Sequence, residues 1–583
     1  MKFIFTLMLM ALPPAAMAQT NVTVNPQTTY QTIRDFGASD CWTADFVGKH
    51  FSDRQKENAA RWLFSQQMDA GGNPEGIGLS AWRVNLGAGS AEQGDGSDIP
   101  DKTRRGHCFL NADGTYDWTK AEGQQYFMAQ ARKYGVDHFV LFSNSAPVYF
   151  TKNGLAHAGA GVRGSNLKDE CYADFAKFLA TTTRHFVDEG YNISFISPVN
   201  EPQYNWTDGQ EGSPWTNECI ARLVRHIDAA LEGYGLQQKI LIPEACQWNA
   251  LIKEGTEQRA NNQVEAFFNH ANTNTYNNNL PHLGKAIAGH SYWTFGNNAD
   301  LKNIRTSVAE KAAKYGLDVY QTEWSMLDKA PSADAGFPAS YDAAGHMDIA
   351  LYMAKLIHCD LVYGNMASWS YWTAMAQERW SQKNRFYLLR LNAKGDNGNE
   401  SYGDLAEGGR ITADMNLWVL GNYSRFIRPG FKRIDMAIDD TDLNGLMGSA
   451  YLSPDGNRIV MVFVNMGSVR RIVPNVVGIS DAHSVKCYET YELSTQEGTL
   501  TLNKNTSYAP QRLGGQFRIR KNSVTTMVID IDQTDGIKGT SAAMPANDKG
   551  VYAIDGRKVS SGNSADCLPK GLYIVNGVKV SKK

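Results

Sequence analysis

Ile193-Ser-Phe-Ile-Ser-Pro-Val-Asn-Glu-Pro202 is a short, mostly apolar run that stops at Asn200, Glu201 and Pro202. Amphipathic stretches flank it. Upstream, Tyr172, Phe175, Phe178, Leu179 and Phe186 recur at near-helical spacing. Downstream, Ile220, Leu223, Val224, Ile227 and Leu231 do the same, and that stretch stops at Gly233-Tyr-Gly235. An apolar run set between helices reads as a parallel strand covered on both faces. Seven more runs repeat the pattern: Ile33 to Ser39, Gly78 to Leu86, His138 to Ser143, Ile240 to Glu244, Ala286 to Tyr292, Leu317 to Glu323 and Ala367 to Tyr371. Eight such units between about residues 30 and 375 fit a closed barrel better than an open sheet. The first turn, Gly37-Ala38-Ser39-Asp40, lacks the GxGxxG of a dinucleotide-binding sheet.

Past Leu417 the texture changes to short alternating strands with turn signals such as Ser453-Pro-Asp-Gly456. Strands are expected at Ile459 to Asn465, Ser484 to Glu492, Thr499 to Leu502, Gln516 to Arg520 and Ser523 to Ile531. The expected fold class is therefore α/β, a (β/α)8 TIM barrel with an appended antiparallel β-sandwich. Residues 31–416 form the barrel and 417–532 the sandwich, which residues 19–30 join as an N-terminal strand. Residues 533–549 read as a polar linker. Residues 550–583 read as a small β tail of two strands, Gly550 to Gly556 and Leu568 to Val575. That tail resembles the C-terminal sorting signals of exported Bacteroidetes proteins, and an ordinary β appendage is the plainer alternative.

Residues 1–18 read as a signal peptide. Lys2 is its positive end, Phe3 to Leu12 its apolar run and Ala16-Met17-Ala18 its cleavage site. The apolar run falls short of the roughly 20 residues a membrane helix needs. The expected protein is exported, as a periplasmic, cell-surface or extracellular chain, with no membrane span. A monomer is the expectation for oligomeric state. With 57 Lys and Arg against 60 Asp and Glu, the chain has no basic excess with which to hold nucleic acid. The scattered cysteines show no metal-ligand spacing, and no metal or organic cofactor is implied. All 13 Trp lie at or before Trp418, in the barrel part. Aromatic clefts without net charge suit a neutral polysaccharide or oligosaccharide.

Two glutamates stand out by position. Glu201 follows the fourth run, and Glu323 ends the seventh, Val319-Tyr-Gln-Thr-Glu-Trp324. Loops at the C-terminal ends of barrel strands build the active site, and two carboxylates there suit cleavage of a glycosidic bond. Glu244, ending the fifth run, is a rival acid without the Asn-Glu-Pro frame. Trp42, Trp206, Trp248, Trp293, Trp324 and Trp372 are candidate faces for sugar rings, since aromatic faces bury apolar C–H surface. His290 is a candidate for a hydrogen bond to substrate, beside the plainer reading of a core histidine with its own partners.

The Asn-Glu-Pro after strand four and the second Glu on strand seven resemble the clan A retaining glycoside hydrolases. Asp35-Phe-Gly-Ala-Ser39 and the junction Leu417-Trp-Val-Leu-Gly-Asn-Tyr-Ser-Arg-Phe-Ile-Arg-Pro-Gly430 extend the resemblance to glycoside hydrolase family 30. It covers about Asn21 to Ile531. Cys41-Trp42, Trp82-Arg83-Val84-Asn85 and Gln203-Tyr204-Asn205-Trp206 look most like its endo-β-1,6-galactanase branch. The resemblance implies Glu201 as general acid/base, Glu323 as nucleophile and Asn200 as donor to the sugar 2-hydroxyl. Arg83 and Tyr292 are then the expected donors that keep Glu323 ionised. The expected activity is retaining hydrolysis of β-1,6-galactan side chains of arabinogalactan. A β-1,6-glucanase or xylanase of the same family, and a non-catalytic glycan-binding protein, are the alternatives.

Overall fold

Each of the eight runs is a strand. In the computed structural model, which describes residues 19–531 and 551–582 apart from gaps at 208, 254–258, 380–381, 398–401, 481–482, 493–503, 506–510, 554–557, 561–567, 570 and 576–577, β1 (Gln19–Thr32) leads into the barrel strands. These are β2 (Asp35–Ser39), β3 (Ala81–Asn85), β4 (His138–Phe142), β5 (Ile193–Ser197), β6 (Lys239–Ile240), β7 (Ala286–His290), β8 (Asp318–Glu323) and β9 (Met366–Tyr371). They form one parallel sheet in the order β6-β5-β4-β3-β2-β9-β8-β7. Parallel bridges Ile240↔Leu283 and Ala245↔Gly289 join β6 to β7 and close the ring.

Regular β6 is shorter than the expected run Ile240 to Glu244. Pro243 has no N–H to give the ladder. The backbone still pairs on both sides, with Leu241 donating to Ile196 O at 2.9 Å and Ala288 donating to Ile242 O at 3.0 Å. The signal-peptide region, the linker and the expected strand Thr499 to Leu502 lie outside the described residues.

Alternation along each strand sorts side chains between two layers. On β3, Trp82 turns outward and meets Phe64 edge-to-face at 5.0 Å, which leaves Arg83 inside the ring. Low in the barrel, Leu241, Ala286, Ala288, Tyr320 and Ala367 form a small interior cluster with Phe195 against it. The large core lies outside, between strands and helices. Helix Tyr172–Asp188 buries Phe175, Phe178, Leu179 and Phe186, and helix Asn217–Gly233 buries Ile220, Leu223, Val224, Ile227 and Leu231. Thr216 caps the second helix by accepting from Cys219 N–H, and Gly235 ends it in the left-handed region at φ 62°. Among the described residues no helix is long and apolar enough to cross a membrane.

A three-stranded sheet that the sequence reading missed follows the last barrel strand: β10 (Met375–Gln377), β11 (Leu389–Ala393) and β12 (Gly409–Ala413). Helix Met415–Ser424 then leads out of the barrel, as expected. Arg425 beyond it donates to the carbonyls of Ser65 and Gly76 at 3.1 and 2.8 Å, stitching the junction to the loop before β3.

The second region is one ten-stranded, mostly antiparallel sheet. Its strands are β1, β13 (Lys432–Ile438), β14 (Leu446–Leu452), β15 (Arg458–Asn465), β16 (Arg470–Val476), β17 (Ser484–Tyr491), β18 (Lys504–Asn505), β19 (Gln511–Arg512), β20 (Phe517–Ile519) and β21 (Ser523–Asp530). The N-terminal strand joins it as expected, antiparallel to β13 and parallel to β16. The tail, taken by itself, has four antiparallel strands rather than the expected two: β22 (Val551–Ala553), β23 (Lys558–Ser560), β24 (Gly571–Val575) and β25 (Val578–Lys582). Lys558–Ser560 is too short to stand out by alternation, whereas Val578–Lys582 does alternate and was missed in the sequence.

Candidate active site

A β-bulge brings the chemistry together. Along β7 and β8, Gly289 pairs with Gln321, but His290 pairs with Glu323, so β8 carries one extra residue. Glu323 thus faces His290, and the extra residue, Thr322, donates its hydroxyl proton to Glu244. Gly289 is glycine for a packing reason: a Cβ there would lie 2.9 Å from the Trp248 ring.

Glu201 and Glu323 converge at the C-terminal end of the ring. One carboxylate oxygen of each and a ring nitrogen of His290 all lie within 4.8 Å of one another. Arg83 Nη1 donates to Glu323 Oε2 at 2.9 Å, and Tyr292 Oη donates to Glu323 Oε1 at 3.2 Å. Both expected donors are therefore in place. Arg83 Nη2 donates to Asn200 Oδ1 at 3.0 Å, which fixes the Asn200 amide with its NH₂ still able to donate. The central carbon of the Arg83 guanidinium lies over the Phe142 ring, 3.6 Å from its centroid.

His290 fits the plainer of its two readings, a core histidine with its own partners, for it is completely buried. Nδ1 lies 2.9 Å from Glu201 Oε1 and Nε2 lies 3.2 Å from Glu244 Oε2. Glu244, the rival acid flagged in the sequence as a carboxylate ending a barrel strand, also accepts from Ser197 Oγ at 2.8 Å and lies 3.8 Å from Arg83 Nη2.

Burial raises the Glu201 carboxyl above its ordinary range and the nearby charge of Glu323 adds to this, while His290 and Arg83 pull it back. Burial would raise Glu244 too, but Arg83, His290 and Thr322 bring it down to about 2. For His290 burial favours the neutral ring. The charge of Glu323 and the bonds to Glu201 and Glu244 outweigh it and lift the ring to about 9. Both ring nitrogens of His290 face carboxylate oxygens, so Glu201, His290 and Glu244 form a buried acid–base chain beside Glu323.

The local backbone is held hard. Glu201, Trp206, Glu244 and Trp293 all have positive φ, between 43° and 55°, a costly conformation for non-glycine residues that clusters at functional sites. Glu201 N–H donates to Glu244 O at 2.9 Å, and Trp206 Nε1 donates to Glu201 O at 3.1 Å.

The six tryptophans separate. Trp248 and Trp324 are 0% and 1% exposed, so neither offers a face to a sugar. Trp248 packs on Gly289 and donates to Ser291 Oγ at 2.9 Å. Trp206 is largely covered, because its ring lies against Gly212, where a Cβ would fall 2.4 Å away; it positions Glu201. Trp42 and Trp372 meet edge-to-face at 5.1 Å and line a groove of ≈ 210 Å³ with Arg104, Gln210 and Gln377. Arg104 sits 5.6 Å from the Trp42 ring. Trp293, 50% exposed, faces a second groove of ≈ 340 Å³ with Tyr204, Gln203 and Gln247. Gln210 and Gln247 lie on loops, Arg104 in a single helical turn and Gln377 at the end of the three-residue strand β10; none has a periodic signature, and sequence reasoning did not find them.

The set can do proton transfer and covalent carboxylate chemistry on one bound group. A family model for O-glycosyl hydrolase family 30 matches residues 19–384. A solved structure of a conserved exported protein from Bacteroides fragilis is 31% identical, covers 87% of this chain and 99% of its own, and superposes with a TM-score of 0.77. An endo-β-1,6-galactanase of Hypocrea rufa is 24% identical over 476 residues, 78% of this chain and 83% of that protein. A glucuronoxylanase of Bacillus subtilis is 23% identical over 538 residues, 90% and 96% of the two chains.

Proposed function

The chain belongs to O-glycosyl hydrolase family 30, and on that premise we propose that it is an exported, retaining endo-β-1,6-galactanase acting on arabinogalactan side chains. The observation that carries the mechanism is that one carboxylate oxygen of Glu201 and one of Glu323 lie within 4.8 Å of each other, which supports the closer, retaining spacing. Retaining pairs lie about 5–5.5 Å apart, whereas inverting pairs leave room for a water at about 6.5–9.5 Å.

Glu323, gripped by Arg83 and Tyr292, attacks the anomeric carbon as a carboxylate. Glu201, whose carboxyl burial pushes above its ordinary range, gives its proton to the departing glycosidic oxygen. The glycosyl ester on Glu323 then loses to water, whose proton returns to Glu201. The Asn200 amide donates to the sugar 2-hydroxyl, a bond that strengthens in the oxocarbenium-like transition state.

Gln203 and Tyr204 follow Glu201 after Pro202, and on that placement the Trp293 groove takes the leaving part of the chain. The Trp42–Trp372 groove takes the part that forms the ester. Aromatic faces on both sides of the pair support cleavage within a chain. The galactan assignment is supported by Cys41-Trp42, Trp82-Arg83-Val84-Asn85 and Gln203-Tyr204-Asn205-Trp206, and by the likeness to the Hypocrea rufa protein. The likeness to the Bacillus subtilis protein keeps xylan as the second reading.

Product analysis on β-1,6-galactan, β-1,6-glucan and xylan tests this. A ladder of galacto-oligosaccharides is expected; turnover of glucan or xylan with galactan untouched refutes the branch and leaves the family intact. Export rests on residues 1–18, and N-terminal sequencing of the protein outside the cytoplasm should begin at Gln19.

A further inference from the structure

We propose that Glu244 is a positioning residue that sets the proton balance of the site: an ionised third carboxylate behind His290, it keeps one proton on Glu201. The inference rests on the reading of Glu201 and Glu323 as the catalytic pair.

Glu244 lies behind the site, with no exposure, and touches only protein: Ser197 Oγ, Thr322 Oγ1, His290 Nε2 and, at 3.8 Å, Arg83 Nη2. Each is a cation or a hydroxyl donor, so the carboxylate is ionised. Its two cations are the ones that address the catalytic pair, Arg83 on Glu323 and His290 on Glu201. Both ring nitrogens of His290 face carboxylate oxygens, and only the imidazolium donates from both.

These five groups can be counted. Three ionised carboxylates against Arg83 and His290 would leave one uncompensated negative charge in a place shielded from water, and one proton removes it. Glu323 has Arg83 and Tyr292, and Glu244 has two cations and two hydroxyls, whereas among the described residues the Glu201 carboxyl is hydrogen-bonded to His290 alone, with the Arg83 charge farther off. The proton therefore resides on Glu201. His290 occupies Oε1, which leaves the proton to Oε2.

The same count holds in the second half of the cycle. When Glu323 becomes an ester it loses its charge, and Glu201, having given its proton to the leaving oxygen, gains one. The sum remains zero. Without Glu244 the same protonation states would sum to +1 in both halves; before the ester forms, loss of the Glu201 proton restores zero, so Glu201 is already ionised when it is needed as an acid.

The charged and titratable groups facing His290 are Arg83 from β3, Glu201 after β5, Glu244 after β6, Glu323 on β8 and Tyr292 beyond its own strand, with ring centroids 5.8 Å apart. Asp40 and Cys41, after β2, act on the site through Arg83. Asp360 lies on the outer side and is bonded to Ser291, Trp369 and Arg305.

Two variants with opposite charge changes test the balance. In the pH profile of kcat/KM on the glycan the wild type cleaves, Glu244→Gln should move the alkaline limb to lower pH by about one unit, a tenfold loss on that limb. His290→Gln should move it to higher pH. A merely structural role lowers both profiles without opposite shifts, and that result, or an unmoved limb in folded Glu244→Gln, overturns the proposal. Histidine ¹⁵N NMR, with His290→Gln for assignment, needs no substrate. His290 should hold both protons at pH 7.5 in the wild type and lose one about a unit lower in Glu244→Gln. A neutral His290 in the wild type at pH 7.5 overturns the balance. An enzyme inert on all three glycans but with the expected NMR titration would sink the catalytic reading alone.

Discussion

Consecutive residues His290 and Ser291 belong to two different clusters of buried charge. Ser291 points to the pair Arg305–Asp360, where Asp360 is bonded to Arg305 Nε at 2.8 Å, Trp369 Nε1 at 2.9 Å and Ser291 Oγ at 3.0 Å. That cluster has one charge of each sign, lies between β7, β9 and helix His346–Val362, and is sealed. His290 points to the mouth, where three carboxyls share two cations beside the grooves. A balanced, sealed pair can only hold the fold together. An unbalanced set must carry a proton, and a proton that must sit somewhere can be handed to a substrate.

Amidating the mouth should cost activity and little stability. Glu323→Gln is expected to lower kcat by about 10⁴-fold or more, since no covalent intermediate can form. Glu201→Gln should lose about 10²–10⁴-fold. Both should still bind glycan and unfold near the wild-type midpoint. Undiminished turnover in either would erase the difference between the clusters.

The sealed pair should behave in the opposite way. Asp360→Asn leaves Arg305 buried without its counter-charge and is expected to cost about 3–5 kcal/mol in urea unfolding. The folded fraction should retain kcat/KM within a few-fold. A variant that is stable but inactive would mean that the outer cluster controls the chemistry.

Acid sensitivity gives a smaller contrast with a defined sign. Glu244 is held down to about 2 in the folded chain against an ordinary value of 4.5. Its contribution is full above about pH 5 and is lost as the pH falls toward 2. The urea midpoint should therefore drop less between pH 6 and 3 in Glu244→Gln than in the wild type. An equal slope would mean that Glu244 is not held ionised.

The smallest effect separates exposed from buried tryptophan. Trp293→Ala should raise KM about three- to tenfold on long oligosaccharides with kcat little changed, as expected for one lost stacking contact. Trp248→Ala should instead lower the unfolding midpoint, because Trp248 is core.

Those tryptophans also mark how far the sequence could be read. Each barrel strand is a local object, an apolar run ended by a polar residue, so all eight runs were legible one at a time and Glu201 and Glu323 stood out at their ends, whereas Arg83, Asn200 and Tyr292 entered only through the family resemblance. Trp248 and Trp293 both follow a strand end, and nothing local tells the buried one from the exposed one. The partnership of His290 with Glu244 depends on the one-residue bulge opposite Gly289 and on closure of the ring between β6 and β7. Neither leaves a periodic trace. The sheet β10–β12 has strands of three to five residues in a polar stretch, too short for alternation to register.

The central claim is that Glu201 and Glu323 work on one sugar from within covalent reach. Proton NMR of the first product formed from the β-linked glycan that the enzyme cleaves fastest tests it most directly. The β-anomer should appear first and mutarotate later; initial release of the α-anomer would contradict the account.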